Sequence, residues 1–162
     1  MTNNKNWLIV GGAGYIGAHV IRSFLKNGLN IFVIDNLSTG KIERIPRGVE
    51  FLNLDCNKSS QVNGFINSNE ITGVVHLAAL KQARESSRKP LDYWCNNISS
   101  IIGLLKGIEG SKVDKFLFSS SCSIYGSNGE VNESSPLEPI STYGRTKLVS
   151  EMIIKDCLNY LN

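Results

Sequence analysis

Five short apolar runs recur along the chain, at Trp7 to Val10, Asn30 to Ile34, Val49 to Leu54, Gly73 to Leu77 and Lys115 to Ser119. They are rich in β-branched and aromatic residues and show little alternation of apolar with polar positions, so each reads as a strand of a parallel sheet buried on both faces. Segments of helical spacing separate most of them. Tyr15 to Asn27 brings Ile16, Val20, Phe24 and Leu25 to one side and is followed by Gly28, which suits a helix end; Gln61 to Asn69 and Ile98 to Glu109 have the same character. Strand, helix and strand repeated in this way predict a doubly wound α/β sheet of about five parallel strands with right-handed crossovers. Ser38 to Gly48 and Ser127 to Ser141 are polar stretches with glycine or proline and read as surface loops, the second lying over the functional site. The last helix is expected from Ser141 to Leu161.

The turn after the first run turns this pattern into a Rossmann-type prediction. Val10-Gly-Gly-Ala-Gly-Tyr-Ile-Gly17 can be read as Gly12-x-Gly14-x-x-Gly17 or as Gly11-x-x-Gly14-x-x-Gly17, directly after a strand and opening a helix. Glycine permits the tight turn, the close approach of a pyrophosphate and close helix-to-strand packing, while a helix N-terminus favours negative charge. Asp35 ends the second run, 18 residues beyond Gly17. There a carboxylate can accept both hydroxyls of an adenine ribose and repel a 2′-phosphate, which selects NAD over NADP. Asp55 ends the third run, where it either bonds an adenine amino group or caps a solvated turn.

Tyr143-Gly-Arg-Thr-Lys147 places a phenol and an ammonium at i, i+4, on one helix face. A neighbouring ammonium stabilises phenolate, so Lys147 is expected to draw the tyrosine's pKa from about 10 toward neutrality and make it a general base. Phe118-Ser-Ser-Ser-Cys-Ser-Ile-Tyr-Gly126 falls where a parallel strand opens into the ligand crevice, and Ser121 is the candidate hydroxyl for the reacting oxygen. Ser123 reads as a loop polar residue, His76 as a satisfied core histidine within a strand, and His19 as a helix residue with no evident partner.

Composition narrows the field without redirecting it. With 162 residues, 41% hydrophobic content and 19% charge, the chain fits one domain, residues 1–162, and such a domain buries roughly 70% of its unfolded surface. The net charge of +3 is scattered, which argues against a nucleic-acid partner. Cys56, Cys95, Cys122 and Cys157 show no CxxC spacing, so no metal site or disulfide framework is indicated, and reduced thiols in the cytoplasm are expected. Met1 to Asn6 is polar, so no signal sequence is expected there, and no apolar run approaches the ~20 residues of a membrane span.

The ordered motifs resemble the extended short-chain dehydrogenase/reductase family, most nearly its UDP-glucose 4-epimerases. The resemblance rests on the glycine turn, Asp35-Asn-Leu-Ser38, Leu77-Ala-Ala-Leu-Lys81, Lys89-Pro-Leu-Asp-Tyr93, Asn96-Asn97, Ser119-Ser-Ser121 with Tyr125-Gly126, and Tyr143-x-x-x-Lys147. It implies that NAD is held by Gly11, Gly14, Tyr15, Ile16, Gly17, Asp35, Asn36, Asp55, Leu77, Ala78, Ala79, Lys81, Asn96 and Ser119. Lys147 would bond the nicotinamide ribose, and Ser121 and Tyr143 would face the sugar of a UDP-hexose. In the implied reaction Tyr143 takes the proton of the sugar 4-hydroxyl as hydride passes to NAD; the 4-keto sugar then turns over and receives the hydride on its other face. Relatives that dehydrate nucleotide sugars carry an acid or an acidic pair after the residue matching Ser121, and here Cys122 and Ser123 stand there, so epimerisation outranks dehydration. Val10 replaces a usual threonine, and Ser99-Ser100 a usual Asn-Gly.

Only 15 residues follow Lys147, whereas relatives continue into a sixth strand and a C-terminal substrate subdomain. The implied chain is the NAD-binding half alone. Three alternatives stay open: a fragment completed by a second chain, a non-catalytic NAD-binding module, and a truncated product without function. Association is expected, either as a homodimer or with a missing C-terminal half.

Overall fold

The computed structural model describes residues 5–127 and 129–158. Strand β1 (Asn6–Val10) is the centre of a five-stranded parallel sheet, with β2 (Asn30–Asp35) and β3 (Glu50–Asn53) on one side and β4 (Gly73–His76) and β5 (Lys115–Phe118) on the other, in the order β3-β2-β1-β4-β5. This is the doubly wound order, in which the chain leaves β1 first toward one edge and later returns to its opposite side. Helices α1 (Tyr15–Lys26), α2 (Ser59–Ser68), α3 (Ala83–Ser86), α4 (Pro90–Ile108) and α5 (Thr142–Leu158) complete the fold.

The absence of alternation in β1 has a direct cause. Leu8 and Val10 join Ile34 and Val74 under α2 and α4, where Val62, Ile66, Leu104 and Ile108 close the layer. Trp7 and Ile9 face the other way, with Val33, Val75, Ile21 of α1 and the half-buried Phe24. Every position of β1 after Asn6 is buried, and each such large apolar side chain contributes about 1.5–3 kcal/mol. Gly73 is part of the same packing, because a Cβ there would lie 2.5 Å from the Trp7 ring.

The five strands and first two helices lie where the apolar runs place them, to within two residues, and Gly28 follows α1 at φ 74. Helix α4 instead begins at Pro90, well before Ile98. Its inward positions Asn97 and Ser100 are polar, so the apolar period is interrupted, while Pro90 in the first turn starts the helix at little cost. Helix α3 has no apolar period and is not visible in the pattern. The Ser38 to Gly48 loop contains a short 3-10 turn at Ile42–Arg44, and the expected end of α5 beyond residue 158 lies outside the described residues. No helix among the described residues is long and apolar enough to cross a membrane.

Candidate cofactor and acid/base site

Strand ends and the first helix build one cleft. Gly11 accepts its fold from both neighbours: its N–H donates to the Ile34 carbonyl (2.8 Å), and a Cβ on it, already disfavoured at φ 85, would lie 2.7 Å from the Ala78 nitrogen. Gly17 backs onto the same turn, with a Cβ position only 2.4 Å from the Gly11 carbonyl oxygen. Helix α1 has Gly14 at its cap, no side-chain cap and no acid in its first turn. Its opening N–H groups and dipole are thus left for an anionic ligand.

Asp35, nearly buried at 9% exposure, ties the turn to β2. One carboxylate oxygen accepts the Ala13 N–H (3.0 Å) and the other the Leu37 N–H (2.8 Å). Each oxygen keeps a lone pair for a ligand hydroxyl. Gly40 folds over this carboxylate, where a Cβ would approach it to 2.9 Å. Asp55 accepts from the Asn57 N–H (3.1 Å) and from Asn36 Nδ2 (3.2 Å). It is therefore a turn cap that also lines the cleft.

Of the residues expected at a dinucleotide, Gly11, Gly14, Tyr15, Ile16, Gly17, Asp35, Asn36, Asp55, Leu77, Ala78, Ala79, Lys81 and Asn96 all line this cleft. Ser38, Thr39, Gly40, Cys56, Leu80 and Ser100 line it too, and the sequence reading does not place them there.

Ser119 and Ser121 lie just past the end of β5, and Tyr143 and Lys147 at the start of α5; none of the four is among the residues lining the cleft. The Lys147 ammonium donates to the Ser119 carbonyl (2.7 Å) and lies 4.6 Å above the Phe118 ring. Tyr143 is 9% exposed and its backbone N–H donates to Ser86 Oγ (3.0 Å), which itself donates to the Ala83 carbonyl (2.6 Å). Ser121 Oγ caps the 3-10 turn Cys122–Tyr125 by accepting the Ser123 N–H (3.2 Å), and its own O–H has no acceptor among the described residues. Ser123 enters this contact through its backbone.

Lys147 is 4% exposed, and among the described residues no carboxylate forms an ion pair with it. Burial pulls its pKa down from 10.5 to about 8, with Glu151 one turn along opposing the shift. Below pH 8 both folded and unfolded chains carry the proton, so the full cost of burying the charge applies; between about 8 and 10.5 the unfolded chain holds more protons, and stability rises with pH. The denaturation midpoint is expected to rise over that window. In Lys147→Met this component should be absent; an identical pH profile in the variant would exclude Lys147 as its source.

His76 is buried, and its Nε2 meets Ser100 Oγ (3.2 Å), which in turn contacts Cys56 Sγ (3.1 Å). Its Nδ1 has no hydrogen-bond partner among the described residues, so only half of the ring is satisfied. Burial first, and the Lys147 charge second, pull its pKa to about 3, which keeps it neutral. Its ring stacks on Phe118, the ring beneath Lys147 (5.9 Å between centroids). His19 is exposed and packs edge-on against Tyr15.

Ser86 and Thr146 escape the motif reading, and Asn97 enters it only as the second residue of Asn96-Asn97, with no role assigned. Asn97 holds the backbone of Leu80 and the side chain of Thr146. One signal for it does exist: Tyr93, Asn97, Ser100, Ile101, Leu104 and Ile108 follow the inward helical period, and two of the six are polar.

Comparison with known proteins agrees with this geometry. Residues 7–159 match the model of the NAD dependent epimerase/dehydratase family. The UDP-glucose 4-epimerase of Lactobacillus helveticus is 36% identical over 149 residues, covering 91% of this chain and 45% of that protein. Among solved structures, the UDP-Glc/GlcNAc 4-epimerase of Campylobacter jejuni superposes with a TM-score of 0.89 at 38% identity, covering 94% of this chain and 49% of the other. The UDP-glucose 4-epimerase of Brucella ovis in complex with NAD gives 0.92 at 32% identity, covering 97% and 49%. The chain spans about half the length of these relatives. With the glycine turn, the acidic end of β2 and the Tyr143/Lys147 helix all within the matched residues, the chain belongs to the NAD dependent epimerase/dehydratase family.

Proposed function

We propose that these residues form the NAD-binding and acid/base half of a UDP-hexose 4-epimerase, of the kind that interconverts UDP-glucose and UDP-galactose. One observation carries the reading: the dinucleotide cleft and the Lys147–Ser119 pair open at the ends of adjacent strands, β4 and β5, joined there by the Ser119 N–H donating to the His76 carbonyl (3.1 Å). The cleft suits NAD on its own evidence. Its glycines leave a cradle that a Cβ would fill, the first turn of α1 has no competing anion, and Asp35 offers two lone pairs at the end of β2.

NAD, when bound, supplies the hydride acceptor and donor. The protein's part is proton transfer and placement. Tyr143 takes the proton of the sugar 4-hydroxyl and later returns it, Lys147 holds the ribose, and Ser121 donates to the reacting oxygen. Cys122 and Ser123 offer no acid for a dehydration. Spanning about half the length of these relatives, residues 1–162 by themselves are proposed to bind NAD without turning over UDP-sugar, in the cytoplasm.

Calorimetry tests the cofactor assignment. NAD is expected to bind more tightly than NADP, and Asp35→Ala to narrow the difference; equal binding of both by the unmodified chain refutes it. A second expectation follows from the sheet edge. Among the described residues β5 pairs with β4 alone, and Leu117 is 51% exposed, so self-association or pairing with a C-terminal half is expected. A stable dilute monomer in sedimentation would count against this.

A further inference from the structure

We infer that Asn97 and Thr146 are positioning residues that link the wall of the cofactor cleft to the acid/base helix, so that the two are set as one unit. The inference rests on the NAD-binding reading above and concerns residues that touch neither reactant.

Asn97 is 4% exposed, and its amide is fully used. The Oδ1 atom accepts the Leu80 N–H (2.9 Å) and Asn96 Nδ2 (3.0 Å); Nδ2 donates to the Leu80 carbonyl (3.1 Å) and to Thr146 Oγ1 (2.9 Å). An asparagine side chain has two donors and two acceptor sites, and all four are occupied. Holding Leu80 by both its N–H and its carbonyl fixes that residue as a neighbouring strand would, and Leu80 and Asn96 both line the cleft.

Thr146 carries the link into α5. It is fully buried, and its hydroxyl donates to the Tyr143 carbonyl (2.8 Å) while accepting from Asn97. The first bond aims the hydroxyl, and the second commits one of its two lone pairs to α4. Tyr143 precedes this residue and Lys147 follows it, so the tie falls between the two groups whose placement matters. A buried network with every member satisfied holds its members in one arrangement, and the loss of one leaves the rest unpaired.

The experiment separates the two halves of the dinucleotide. ADP reports the adenine end alone, whereas the nicotinamide end of NAD reaches the Lys147 side in the proposed complex. Thr146→Val removes the hydroxyl at constant size and leaves one Asn97 N–H without a partner. Calorimetry is expected to show NAD binding weakened by about 3- to 30-fold, with ADP binding changed less than about twofold. Thr146→Ser should restore NAD binding to near the unmodified level. If the valine variant shows no cooperative thermal transition, Thr146→Ala serves the same comparison. Unchanged NAD affinity, an equal loss of NAD and ADP, or failure of the serine variant to restore binding would each overturn the linkage. Failure of the unmodified chain to bind NAD would overturn the functional reading itself, a separate outcome.

Discussion

Gly17→Ala is expected to weaken NAD binding sharply while leaving most of the sheet intact. Its Cβ would stand 2.4 Å from the Gly11 oxygen, 2.6 Å from the Gly12 Cα and 2.8 Å from the Gly12 carbonyl carbon. All three are backbone atoms of the turn, and none can rotate away as the end of a side chain would. Either the turn opens or α1 moves back, and both displace the N–H groups that face the dinucleotide. Overpacking of this kind costs about 1–3 kcal/mol, so calorimetry should show NAD affinity lower by about 5- to 150-fold. Gly64→Ala provides the contrast. Gly64 lies within α2, and a Cβ there meets nothing within 4 Å; that variant should bind NAD normally and gain up to about 1 kcal/mol of stability from helix propensity. NAD binding by Gly17→Ala within threefold of the unmodified chain would mean that the turn is not the pyrophosphate site.

Tyr143→Phe is expected to cost two to four powers of ten in turnover, the scale on which a lost general acid/base is felt, in an enzyme completed by a C-terminal half. The structure makes this substitution selective. Tyr143 is placed by its backbone, whose N–H donates to Ser86 Oγ and whose carbonyl accepts from Thr146 Oγ1. Neither bond uses the phenol. Phenylalanine therefore keeps the placement and removes only the transferable proton, so NAD affinity should stay within about threefold. Full turnover in the variant would remove Tyr143 from the proton path.

The strands were legible because β1 and its neighbours are buried on both faces, which writes continuous apolar runs into the chain. The glycine turn, Asp35 and the Tyr143/Lys147 pair were legible because each is local: a few residues whose spacing is its own geometry. What holds them was not. The bond from Tyr143 to Ser86 spans 57 positions and that from Asn97 to Thr146 spans 49, and a serine or asparagine that bonds across such a distance looks the same in sequence as one facing water. The start of α4 was hidden for a related reason, since its buried face contains Asn97 and Ser100 where an amphipathic pattern would have apolar side chains. Lys147 is legible as the partner of Tyr143 on one helix face, but its burial over Phe118, where the Ser119 carbonyl and the aromatic face replace the water it loses, is not.

The position of β1 also bears on how the chain reaches this structure. Of the five strands the first to be made is the one at the centre, and it is apolar on both faces from Trp7 to Val10. On one side it pairs with β2, only 24 residues ahead (Trp7 with Ile31); on the other it pairs with β4, 66 residues ahead (Trp7 with Gly73). The nearer partner closes the smaller loop at lower entropic cost. Assembly should then proceed outward from a β1–β2 ribbon whose second edge stays open until β4 has been synthesised. Parallel pairing over such separations is slow and leaves apolar edges exposed meanwhile. The interval between the emergence of β2 and that of β4 is therefore when a ribosome-bound chain has most need of a chaperone.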